Sequence, residues 1–133
     1  ETGHLDNAGY SLDQKAVKQG VTLMPEDIAE ALVNEERWRQ VLTSLVVCLF
    51  ARGVYDGETV LGALDVAGFD WTAADLDRLG AETLRRKVAF KQREGFDFGA
   101  LRIPRRIVET PSPNGPFDEG FVREAIAHYE TSL

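Results

Sequence analysis

Apolar residues recur at three- and four-residue steps through most of this chain, and no segment alternates with a period of two. The pattern therefore predicts an all-α fold. Pro25 followed by Glu26 and Asp27 reads as a helix start, because proline gives up no needed hydrogen bond at a first helical position and carboxylates suit the positive end of the helix dipole. Ile28, Ala29, Leu32 and Val33 form one apolar face, and the period continues through Trp38, Val41, Leu42, Leu45, Cys48 and Leu49, with a break point near Asn34. From Leu45 to Ala51 every side of that helix is apolar. The expectation is a central element, the most buried of the fold, ended by Gly53 and Asp56-Gly57.

A second helix is predicted over 58–67, with Val60, Leu61, Leu64 and Val66 inward and Gly68 as its left-handed stop. Thr72-Ala73-Ala74-Asp75 resembles a capping box with aspartate as the closing acid, and Leu76, Leu79, Leu84, Val88 and Phe90 follow as the inner face of a helix reaching Gln92 and closed by Gly95. Residues 96–115 carry Pro104, Pro111 and Pro113, which predicts an extended strap without a long helix. A final amphipathic helix is predicted over 117–129, with Phe121, Val122, Ile126 and Tyr129 inward. Residues 1–24 lack a sustained period and read as an irregular lead-in with one short helix over 12–18. The remainder, 25–133, reads as one irregular multi-helix domain with a Pro-rich strap.

Composition narrows the function classes. At 133 residues the chain can bury a core without disulfides, and with one cysteine it could form none internally. No apolar run approaches the ~20 residues of a membrane span. A reducing cytoplasmic setting is expected. The formal charge of −7 argues against a phosphate-backbone binder. The local cluster Arg102, Arg105, Arg106 reads as a solvated loop or an interface patch.

The lone Cys48 has two readings on local chemistry: a small core hydrophobe, or one ligand of a metal site completed by other polypeptide. His128 has no sequence neighbour at metal-ligand spacing and reads as a surface or half-buried residue. Glu35-Glu36 and Asp75 with Asp77 read as solvated helix faces rather than an acid–base pair. There is no glycine-rich phosphate loop, two-histidine zinc spacing or nucleophile elbow.

The order of Gly3-His4-Leu5, the hexapeptide Thr43 to Cys48, Gly68-Phe69-Asp70-Trp71-Thr72-Ala73, Lys91 to Phe96, and Ile103-Pro104-Arg105-Arg106 resembles the carboxy-terminal part of aldehyde ferredoxin oxidoreductases, the tungsten-pterin enzymes. The resemblance runs over nearly the whole chain. It implies that Cys48 is the last of four cysteine ligands to a four-iron four-sulfur cluster, the other three coming from an earlier part of the polypeptide. It implies cofactor contacts for Thr43, Val47 and Cys48, and a catalytic position for His4, near the metal and the substrate carbonyl. Thr43 departs from the family pattern, which commonly has a pterin-anchoring aspartate there; Val46 stands where many members have glycine and others valine.

The resemblance further implies oxidation of aldehydes to carboxylic acids at a tungsten or molybdenum bis-pterin, with ferredoxin as acceptor. The partners are then the amino-terminal domains or a companion subunit. The chain alone is expected to be inactive, to carry no cofactor and to self-associate, with no nucleic acid or membrane partner. The competing readings are a small helical interaction module without redox activity, and a stand-alone partner that caps another metalloprotein subunit.

Overall fold

The computed structural model describes residue 18 and residues 24–48, 51, 53–110 and 118–133. Among these there are five helices and no strand: α1 (Pro25–Ser44), α2 (Gly57–Val66), α3 (Ala73–Arg93), α4 (Arg105–Glu109) and α5 (Glu119–Thr131). The all-α expectation holds. His4 and the short helix expected over 12–18 lie outside the described residues, Lys18 apart.

The helix starts follow local chemistry. Pro25 opens α1, and the Met24 N–H donates to Asp27 Oδ2 at 3.3 Å. Asp56 caps α2 by accepting from Thr59 N–H at 2.8 Å, which holds its carboxyl below the ordinary carboxylate range. The expected capping box before α3 is present: Thr72 donates from both its N–H (2.8 Å) and its hydroxyl (2.7 Å) to Asp75 Oδ2. Asp118 caps α5 through Gly120 and Phe121 N–H.

The chain divides into two compact units, Glu35–Ala89 and the remainder, with the boundaries falling inside α1 and α3. In the Glu35–Ala89 unit, Val41, Leu42, Val60 and Leu76 are buried together, with Trp38, Val47, Leu61 and Leu64 packed against them. Each fully buried side chain of this size contributes roughly 1.5–3 kcal/mol. Gly80 lets α3 lie directly on α1, since a Cβ there would come within 2.5 Å of the Arg37 carbonyl oxygen. A polar tie crosses the same contact. The buried Gln40 donates to the Glu36 carbonyl oxygen at 3.2 Å and accepts from Lys87 Nζ at 3.1 Å. In the other unit, Ala29, Val33 and Phe98 are buried, and Phe98 stacks between Phe96 (4.9 Å) and Tyr129 (5.8 Å), which fastens the start of the strap to α5.

Four expectations are corrected. The first helix ends at Ser44 rather than running to Ala51, and of the described residues in the stretch expected to be most buried, Leu45, Val46 and Cys48 are exposed, Val46 at 91%, and Val47 and Ala51 are half-buried. Val66 is exposed because six residues at about 100° each turn it ~240° away from Val60. Phe90 is also exposed, and the Arg93 guanidinium lies 5.2 Å from its ring centroid. Within the strap, Pro104 in extended conformation opens the short helix α4, which its five residues gave no periodicity to reveal.

Candidate functional site

Of the positions singled out in the sequence, His4 lies outside the described residues, and Thr43, Val47 and Cys48 lie at the carboxy-terminal end of α1. There Val47 N–H donates to the Leu42 carbonyl at 3.0 Å and Val46 N–H donates to the Thr43 carbonyl at 3.0 Å. These are the two bonds of a Schellman motif, which turns the chain sharply away from the helix axis. Its pivot is Val46, at φ +59°. A β-branched residue in the left-handed region costs about 1–2 kcal/mol, so this turn holds backbone strain that glycine would not.

The turn is anchored from below and open above. Val47 is half-buried and packs against the cluster that contains Leu42, the hydrophobic contact that accompanies this motif. Thr43 and Cys48 are both exposed. Cys48 is therefore not the core hydrophobe that its apolar neighbours suggested. Its carbonyl accepts from Ala51 N–H at 2.9 Å, which begins the next turn of chain. Thr43, Val47 and Cys48 thus share one helix end. The outlier that sequence reasoning missed is the backbone of Val46, which the apolar run around it does not mark.

A cluster needs several thiolates, and the sequence has one cysteine. Among the described residues Cys48 belongs to no group of ligating side chains. An exposed thiol on a fixed turn fits the role of one ligand presented to other polypeptide, and no larger share of a site.

Elsewhere the ionisable groups stabilise helices. Asp75 has its carboxyl lowered to about 2, first by the Thr72 hydroxyl and backbone N–H and then by Arg78. The buried Arg39 pairs with Glu35 at 3.1 Å on the same helix. His128 is half-buried as expected, but it does have neighbours: its Nε2 lies 3.9 Å from Glu124 Oε1, and Glu26 stands close to both. Glu26 and Glu124 are exposed, and the arrangement reads as surface acids around an imidazole.

The described residues thus form a small helical scaffold with a single exposed thiol at a strained helix end, and no complete set of metal ligands or acid–base groups accompanies it there. The family model described as "Aldehyde ferredoxin oxidoreductase, domains 2 & 3" matches residues 2–131, and the chain belongs to this family. A search of curated proteins and a search of solved structures each returned no match. No helix among the described residues is long and apolar enough to cross a membrane.

Proposed function

We propose that this chain supplies the helical carboxy-terminal portion of an aldehyde ferredoxin oxidoreductase-like enzyme, with residues 25–133 as the helical domain and Cys48 as one thiolate ligand of a four-iron four-sulfur cluster. The observation that carries the reading is the exposure of Cys48 on a turn fixed to the core through Val47. A buried thiol in this apolar stretch would have served packing; an exposed one next to a strained backbone is reachable by the polypeptide that holds the other ligands. When bound, the metal–pterin centre and cluster supply two-electron oxidation of an aldehyde and water to a carboxylic acid, with two electrons leaving to ferredoxin and two protons released.

The chain's own residues hold and orient. Cys48 binds iron through Sγ as thiolate. Val47 keeps the thiol's turn in place and limits water at its base. The Thr43 hydroxyl, exposed one turn before, offers a neutral hydrogen bond toward the pterin where an aspartate would offer a charged and stronger one. His4 holds a proton near the substrate carbonyl. The amino-terminal domains or a companion subunit provide the remaining ligands and the ferredoxin-facing surface.

Cys48→Ser in the enzyme co-expressed with the amino-terminal portion tests this reading. Iron content should fall severely, while the melting temperature of this chain alone stays within ~2 °C, as for an exposed substitution. Full iron occupancy in the variant overturns the ligand assignment. The second reading, a helical interaction module without redox activity, draws on Thr43 in place of the acid. It requires the co-expressed assembly to form without iron, tungsten or molybdenum.

A further inference from the structure

Within the Glu35–Ala89 unit, α2 and the start of α3 flank an open groove of about 620 Å³. Its apolar floor includes Leu61 and Leu76, and Phe69 and Trp71 stand at its edge with ring centroids 6.5 Å apart in an edge-on arrangement. Both rings are exposed, at 53% and 37%. Four carboxylates line the same groove, on Glu58, Asp65, Asp70 and Asp77, and no lysine or arginine does. None of the four side chains has an ion pair among the described residues. Acids left unpaired around an aromatic rim suit an arginine-bearing segment, since guanidinium both pairs with carboxylates and stacks on rings.

The chain itself carries such a segment. Arg102, Arg105 and Arg106 are exposed and likewise without an ion pair among the described residues. Pro104, at φ −63° and ψ 133°, is fixed in extended conformation, and Arg105 and Arg106 follow it in the first turn of α4, so the segment is already ordered before docking. We propose that the acidic, aromatic groove of one copy receives the basic strap 102–106 of a second copy. Strap and groove are different surfaces, so the association is head-to-tail and open-ended. It is independent of the redox reading, and it is governed by charge.

Sedimentation velocity on the full chain tests the proposal. The wild type should form species that grow with concentration in 50 mM salt, and association should weaken roughly tenfold or more in 500 mM salt. A groove variant, Asp65→Lys with Asp77→Lys, and a strap variant, Arg105→Ala with Arg106→Ala, should each be monomeric alone. Mixed, they should give a discrete 1:1 dimer, the intact strap of one in the intact groove of the other. That dimer also shows that both variants are folded. A monomeric wild type at every concentration, association that survives in 500 mM salt, or a mixture that stays monomeric overturns the proposal. The milder neutral variant Glu58→Gln with Asp70→Asn should weaken association by severalfold; unchanged association in it counts equally against the groove.

Discussion

Helices α1, α2 and α3 end in the same hydrogen-bonded motif, yet one of the three pivots is the wrong residue for it. At the end of α2 the pivot is Gly68 at φ +88°, with Phe69 N–H reaching the Leu64 carbonyl at 2.9 Å; at the end of α3 it is Gly95 at φ +94°, with Phe96 N–H reaching Lys91. At the end of α1 it is Val46. Where glycine stands, the turn stops a helix at no steric cost. Where valine stands, the same turn is strained, and it is the turn that carries Thr43, Val47 and Cys48. The strain persists because the neighbouring residues over-determine it: Leu42 is buried in the core and Val47 packs down onto it. Strained backbone of this kind clusters at functional positions, which is the direction in which the inference runs here.

The comparison can be broken most forcefully at its foundation. Gly80→Ala would drive a methyl group into the Arg37 backbone and displace α1 from α3, with an expected loss of ~2–4 kcal/mol in urea unfolding. A loss below ~0.5 kcal/mol would mean that the α1 seat is not rigid. The next test exchanges the pivots. Gly68→Val should destabilise by ~1–2 kcal/mol, and since no atom lies within 4 Å of a Cβ placed there, the cost is one of backbone conformation alone. Val46→Gly should do the reverse and stabilise by ~0.5–1 kcal/mol, because relief of strain outweighs the added freedom of the unfolded chain. A destabilised Val46→Gly variant would show that the valine packs usefully despite its exposure.

The smallest expected effect concerns Asp75 in the capping box. Its folded carboxyl titrates near 2, below the ordinary value of 3.8, so its contribution is fully present above that ordinary value and is lost as the pH falls toward 2. Asp75→Asn should flatten the fall in stability between those two values, read from urea midpoints across the acid range. An unchanged acid limb would remove the carboxylate from the box.

These contrasts also explain what could be read from the sequence. The Gly68 and Gly95 stops, the Thr72–Asp75 box and the Pro25 start are signals in which one residue type has a direct backbone consequence, and each matched the structure, whereas the stop expected at Gly53 did not, since α1 already ends at Ser44. The end of α1 carried no such signal. Val46 continues an apolar run, and only the tertiary seat of Leu42 and Val47 turns the chain there. Val66 and Phe90 failed for a related reason: an apolar side chain within a helical pattern need not face the core, and isolated apolar groups on a surface cost little. At the site, the identities of Thr43, Val47 and Cys48 and a Cys48 reachable by other polypeptide were legible through the family resemblance, whereas the end of the helix before them and the left-handed turn at Val46 were not. The most apolar stretch of the chain was expected inside, and none of its described residues from Leu45 to Cys48 is fully buried.

The central claim is that the end of α1 holds an exposed thiol for iron bound jointly with other polypeptide, and thiol accessibility tests it most directly. The chain alone should react with a thiol reagent at one site per molecule under native conditions, and that site should be Cys48. After co-assembly with the amino-terminal portion the same thiol should be protected, and removal of iron by a chelator should free it again. Equal reactivity before and after assembly, or protection that survives the loss of iron, would contradict the account.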